Sequence, residues 1–134
     1  MNEPFIPVIL GTARPGRRSQ AVAEAVLDVV KQRHLVTDLI DVADYPITST
    51  AAEGAGTRLD RYRELVAAAD GFVIVAPEYN HGYPGELKLL LDSEFAGYGR
   101  KPVGIAGVAS GRIGGARMIE QLQQVVTALR MIPV

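Results

Sequence analysis

Apolar residues fall into two kinds of pattern along this chain, short unbroken runs and stripes at helical spacing. Residues 5–10, "FIPVIL", form a run of the first kind and predict a short buried strand. Residues 11–18 carry glycine, proline and polar groups and predict a loop. Val22, Val26, Val29 and Val30 then recur at helical spacing as far as about His34, with Ser19 expected to cap the helix start through its hydroxyl. Residues 35–42 predict a second strand, and residues 45–56 are irregular, broken by Pro46 and two glycines. Within them "STAAEGAGT", residues 49–57, is the nearest approach to a flexible stretch. Leu59, Tyr62, Leu65, Val66 and Ala69 stripe a second helix that Asp70 and Gly71 end. "GFVIVAP", residues 71–77, is apolar at every position, as in a strand covered on both faces of a parallel sheet. A third helix starts near Pro84 or Gly85 and carries Leu87, Leu90 and Leu91. Residues 102–108 predict a fourth strand, and Ile119, Leu122, Val125, Val126 and Leu129 a fourth helix.

Strand and helix thus alternate four times, the signature of a doubly wound α/β fold with a parallel sheet. Right-handed crossovers leave few topologies. In such sheets ligands bind beyond the carboxyl ends of the strands. Three loops leave those ends: "GTARPGRRS", "PEYNHG" and "ASGRIGG". All three are expected on one rim, and their glycines and polar groups are expected to form a ligand site.

Composition narrows the classes. The 134 residues show no repeat, low-complexity tract or linker, so residues 1–134 are read as one domain. A 48% hydrophobic content excludes a disordered chain, and a net charge of -1 argues against a nucleic-acid footprint. Cysteine is absent, which removes disulfides, thiolate metal sites and a cysteine nucleophile. His34 and His81 are too far apart in sequence to suggest a zinc site, so no metal is expected. The N-terminus enters a strand without a basic leader, and no apolar run nears the roughly 20 residues that span a bilayer. The expectation is a soluble, cytoplasmic protein with no membrane or nucleic-acid partner.

The loop of residues 11–20 suits an anion. Backbone N–H groups at the following helix start favour negative charge, Thr12, Ser19 and Gln20 add donors, and a guanidinium can grip two phosphate oxygens. Arg14 is the strongest arginine candidate; Arg17 and Arg18 are equally at home in solvent. Two phosphate motifs nearly fit. Gly11 and Gly16 have triphosphate-loop spacing, but Arg17 and Arg18 stand where Lys and Ser/Thr belong. The dinucleotide fingerprint finds Ala13 in place of its middle glycine, and Asp41 is more an ordinary strand-end acid than a ribose ligand. Hydroxyls and arginine in a glycine-poor loop favour a terminal monophosphate. In "PEYNHGYPG", Tyr79 offers a flat ring a face or an edge, while Asn80 and the N–H groups around His81 and Gly82 can meet heteroatoms. The plain structural alternative for Glu78 is a charge held by local backbone N–H groups or by an arginine of another subunit. Ser110, Gly111, Gly114 and Gly115 would look the same in a plain flexible turn, but their place beside the loop of the third strand favours contact with the ring.

"GTARPGRRSQ", "APEYNHGYPGELK" and "VGIAGVASGRIGGARM" together resemble the NADPH-dependent FMN reductase family, whose fold is flavodoxin-like. The resemblance runs from the first strand to the end of the chain. It implies FMN, with its phosphate at Thr12, Arg14, Ser19 and Gln20. It implies that the isoalloxazine lies against Pro77, Glu78, Tyr79, Asn80, His81 and Gly82, with Ser110, Gly111 and Gly115 closing its edge. No side chain is assigned a catalytic task, since the flavin carries the chemistry. The resemblance further implies NADPH or NADH as donor, a free flavin, quinone, azo dye or metal oxyanion as acceptor, and a homodimer or higher homo-oligomer. The alternative is a non-catalytic FMN-binding electron carrier or redox sensor. Two departures stand out. Leu89 in "LKLLLD" replaces a polar residue and suggests extra apolar surface at Leu87, Leu89, Leu90 and Leu91 for subunit contact. The strand order 2-1-3-4-5 needs a fifth strand and a final helix, of which "MIPV" supplies only a beginning. One sheet face is then expected to be covered mainly by the first helix, with either a shortened chain or a partner accounting for the gap.

Overall fold

The computed structural model describes residues 3–50 and 57–134; most of the expected flexible stretch lies outside them. Among these described residues five parallel strands form one sheet: β1 (Val8–Leu10), β2 (Leu39–Asp41), β3 (Phe72–Pro77), β4 (Pro102–Val108) and β5 (Ile132–Pro133). Four helices connect them: α1 (Ser19–Gln32), α2 (Thr57–Ala68), α3 (Gly85–Asp92) and α4 (Ala116–Ala128). The spatial order β2-β1-β3-β4-β5 is the one expected of a flavodoxin-like sheet.

The strict two-residue period of the strands divides the core. Ile9, Ile40, Ile74 and Ala76 face α2, α3 and α4, where they meet Leu59, Tyr62, Leu87, Leu90, Leu91, Met118 and Leu122. Val8, Leu10 and Val75 point the other way, towards Ala23, Val22 and Val26 of α1. On that side Val73, Ala106 and Val108 are only partly buried, so α1 covers this face largely alone. β3 is the sheet's centre, paired with β1 on one side and with β4 over six residue pairs on the other.

Several expected bounds move. The first two strands are shorter than their apolar runs: Phe5 and Val36 form an isolated bridge, and Pro7, which has no N–H to donate, precedes the regular ladder. Ser19 is the first residue of α1 rather than its cap; Arg18 holds the cap position and makes no side-chain capping bond. The leucines of α3 do not form one outward patch. Leu87, Leu90 and Leu91 lie in the chain's own core and only Leu89 stays half-exposed. The "MIPV" segment does pair, with Ile132 and Pro133 alongside Pro102 and Val103, and so extends the sheet by a two-residue strand.

Backbone closeness at the end of β1 gives a test. A Cβ on Gly11 would stand 2.9 Å from Ala76 Cβ and 3.2 Å from the Val75 carbonyl oxygen, whereas one on Gly104 meets nothing within 4 Å. Gly11→Ala is expected to cost about 1–3 kcal/mol by overpacking. Gly104→Ala is expected to be neutral or stabilising, by about 0.5 kcal/mol. Urea unfolding of the two variants checks the contrast.

Candidate functional site

Because every strand runs the same way, the turns after β1, β3 and β4 leave the same edge of the sheet. They enclose a cavity of about 520 Å³ lined by Arg14–Ser19 from the first turn, Pro77–Tyr79 from the second and Val108–Ser110 from the third. Of the expected site residues, Arg14, Ser19, Pro77, Glu78, Tyr79 and Ser110 line this cavity. Gln20 lines a neighbouring hollow with Ala13 and Arg14, and its amide donates to Glu24 Oε1 at 3.0 Å. Thr12 is fully buried behind the wall. Asn80, His81, Gly82 and Gly111 lie in the adjoining turns without lining the cavity, and Gly115 is buried with its Cβ position 3.2 Å from Gly107 Cα.

The anion end combines several donors. α1 begins with no acidic residue in its first turn and no side-chain cap, so its first N–H groups stay unneutralised. Ser19 Oγ is buried and has no hydrogen-bond partner among the described residues. A buried hydroxyl left unpaired costs about 1–3 kcal/mol, which a bound acceptor would recover. Arg14 is exposed, and its guanidinium carbon lies 5.6 Å from the centroid of the Tyr79 ring. Arg17, by contrast, is committed. It forms a two-pronged ion pair with Asp41 and donates through Nη1 to the Thr12 carbonyl at 2.6 Å. That bond holds the loop against the end of β2. It also occupies the acid that the sequence offers as a possible ribose ligand, and Asp41 Oδ1 further accepts from Ala43 N–H at 2.9 Å.

The ring end rests on a tight turn. Tyr79 and Gly82 exchange two backbone bonds of 2.9 Å, and both central residues, Asn80 and His81, have positive φ of 50° and 65°. That is the geometry of a type I′ turn, which favours Asn first and Gly second. Histidine at the second position is strained by about 1–2 kcal/mol. The Asn80 and His81 N–H groups take no part in that pair of bonds.

Glu78 is held within its own chain by an arginine side chain and a backbone N–H together. Arg117 Nε donates to Oε1 at 2.9 Å and the Met118 N–H donates to Oε2 at 3.2 Å, so the start of α4 is clamped to the exit of β3. Its side chain is only 7% exposed. Burial pushes its acidity towards the neutral form, but Arg117 and the Met118 N–H outweigh this and hold it below its ordinary value of 4.5. Arg117 stands within a motif that carries the family resemblance but was assigned no role from the sequence. The same holds for Glu86, although Thr12 Oγ1 and Ala13 N–H both donate to its Oε1, at 2.9 and 3.0 Å.

The sequence of residues 5–134 matches the model of a family described as NADPH-dependent FMN reductase. The chain belongs to that family. Its relatives include an NAD(P)H-dependent FMN reductase of Schizosaccharomyces pombe, 33% identical over 96% of this chain and 68% of the relative. A quinone reductase of Escherichia coli strain K12 is 34% identical over 92% of this chain and 70% of the relative. Among solved structures, FerB, a flavoenzyme NAD(P)H:(acceptor) oxidoreductase of Paracoccus denitrificans, superposes with a TM-score of 0.85 over 98% of this chain and 75% of that one, at 20% identity. The expected class, an oxidoreductase that uses FMN and NAD(P)H, stands with the family. Among the described residues no helix is long and apolar enough to cross a membrane.

Two outcomes follow from this geometry. His81→Val should destabilise the protein by about 1–2 kcal/mol, since a β-branched side chain tolerates positive φ least, while His81→Gly should be neutral or better. Thermal unfolding separates them. Glu78 is depressed in the folded state, so its stabilisation is present above its ordinary value and is lost as pH falls through the folded one. Arg117→Ala should therefore show a smaller loss of stability than the unaltered protein as pH is lowered from neutral to below the ordinary glutamate value, measured by chemical denaturation at each pH.

Proposed function

We propose that this chain binds FMN at the strand-exit rim and reduces it with NAD(P)H, passing the electrons to a small acceptor such as a free flavin, quinone, azo dye or metal oxyanion. The observation that carries the reading is the unpaired, buried Ser19 hydroxyl beside Arg14 at an uncapped helix start. It is a donor set that lacks an acceptor, and the terminal phosphate of FMN is an acceptor of that shape and charge.

When bound, FMN supplies the hydride and electron chemistry. The chain's own residues bind, orient and shield. Arg14 and Ser19 hold the phosphate, and the N–H groups of the first turn of α1 add their dipoles. Pro77, Tyr79 and Val108 give the ring apolar contact, and the Asn80–His81 turn and Ser110 present donors at its edge. No side chain is assigned to proton transfer. Arg17 and Arg117 orient the loops that carry these groups, each through a carboxylate that neutralises its charge. The reading takes residues 1–134 as one working domain in the cytoplasm, where a soluble nucleotide is the donor.

A homodimer belongs to the same reading. Its support is an apolar hollow between α3 and α4 that includes Phe95, Val125 and Leu129, with Phe95 half-exposed. A monomer in sedimentation at working concentrations refutes the pairing.

Arg14→Ala should weaken FMN roughly tenfold or more and leave riboflavin affinity unchanged, because the lost partner is a phosphate. Fluorescence titration with both flavins reads this directly, and equal loss for both contradicts the placement. Anaerobic addition of NADPH to the FMN-loaded protein should bleach the flavin bands. Yellow protein that does not bleach identifies a passive carrier or sensor instead.

A further inference from the structure

We infer that Glu86, a residue outside the cavity wall, is the positioning residue that couples the phosphate loop to the ring-contacting tyrosine. Glu86 stands in the first turn of α3 and is absent from the cavity lining, as is Thr12. Its Oε1 accepts from the Thr12 hydroxyl at 2.9 Å and from the Ala13 N–H at 3.0 Å. An ionised carboxylate has no proton to give, so the single proton of Thr12 goes to Glu86. Thr12 Oγ1 then acts only as an acceptor towards its other two neighbours. It takes the Arg14 N–H at 3.2 Å, and at 3.0 Å it takes the proton of the Tyr79 hydroxyl. One carboxylate oxygen thus sets the direction of the whole chain of bonds, from Tyr79 through Thr12 to Glu86.

The two residues at the far end of that chain face the cavity. Arg14 is held by its backbone and Tyr79 by its hydroxyl, and the arginine lies over the tyrosine ring. Phosphate and ring contacts come from separate turns 67 residues apart in sequence, and Thr12 is where they join. Burial favours protonation of Glu86, yet the N–H groups of Glu86 itself and of Ala13, with the Thr12 hydroxyl, hold it below its ordinary value. The acceptor therefore persists through neutral pH. Placement of Glu86 behind the wall separates this role from that of a competitor for the phosphate.

The network stands on geometry, and its consequence for flavin rests on the FMN reading above. Both are tested on the full chain. In flavin-free protein, amide hydrogen exchange by NMR should find Ala13 and Arg14 protected. Glu86→Ala should raise exchange at both amides by roughly tenfold. Glu86→Gln, which keeps an acceptor oxygen, should stay within about threefold of the unaltered protein. Thr12→Val, nearly equal in shape, should expose Arg14 but leave Ala13 protected, and it keeps the test open should Glu86→Ala fail to fold. In flavin titrations Glu86→Ala should weaken FMN by roughly tenfold and riboflavin by less, with recovery in Glu86→Gln. Tyr79→Phe combined with Glu86→Ala should lose less than the product of the two single losses, because both act through Thr12. Unchanged protection in Glu86→Ala, or lost protection with FMN affinity intact, overturns the inference. Unaltered protein that keeps both amides protected yet binds no FMN overturns the FMN reading and leaves the network standing.

Discussion

Parallel pairing of the buried strand β3 with neighbours on both sides is the constraint from which the rest follows. β3 runs between β1 and β4 in matched register, and its side chains alternate into two apolar layers. A strand covered on both faces has no place for polar groups along its length, so they collect where it ends. Parallel direction then puts the ends of β1, β3 and β4 on one edge. The cluster of arginines, hydroxyls, a tyrosine and turn amides at that edge is the consequence of a core that excludes them everywhere else.

A rim of loops is not yet a site, because loops that leave a sheet are free to splay. Three carboxylates prevent this, each standing on a different part of the sheet or its helices and taking donors from another segment. Asp41 holds Arg17 and through it the Thr12 carbonyl, which ties the first loop to β2. Glu78 holds Arg117 and the Met118 N–H, which ties the β3 exit to α4. Glu86 holds Thr12 and Ala13, which ties the first loop to α3. All three ties include backbone groups as well as side chains, so they fix chain position and not only charge. Arg14 and the Ser19 hydroxyl stand on the cavity wall outside these ties, as does Arg18. Of the three arginines in that loop, the fold spends Arg17 on Asp41 and leaves the other two facing the cavity.

The two sheet faces are unequally covered. α2, α3 and α4 bury one face completely at Ile74, Ala76 and Val103, while α1 serves the other and leaves Val73, Ala106 and Val108 half-buried. The site lies between the two regimes. Its first turn leads into α1, on the thinly covered side, but the bonds that steady it come from α3 and α4 on the thickly covered one. Apolar packing and polar ties thus meet at the rim, and the rigid face lends its order to loops that serve the more open one.

The sequence by itself determined what depends on short-range periodicity and on residue chemistry. Unbroken apolar runs gave four strands their places, helical stripes gave four helices theirs, and the loops at the strand exits could be named with Arg14, Ser19 and Tyr79 among their groups. These are local properties, visible because a strand repeats every two residues and a helix every 3.6. Tertiary structure alone decided which polar groups were free and which were spent. Ser19 reads as a capping hydroxyl in sequence, yet it begins the helix and stays unpaired. Arg17 and Arg14 are alike as letters, but only the fold brings Asp41 to Arg17 and so removes it from ligand binding. Glu86 and Arg117 stand within the motifs of the family, but nothing local tells what they hold, since their partners lie 73 and 39 residues away. Pairing of that kind is set by which strand ends converge, and no window of sequence contains both halves of it.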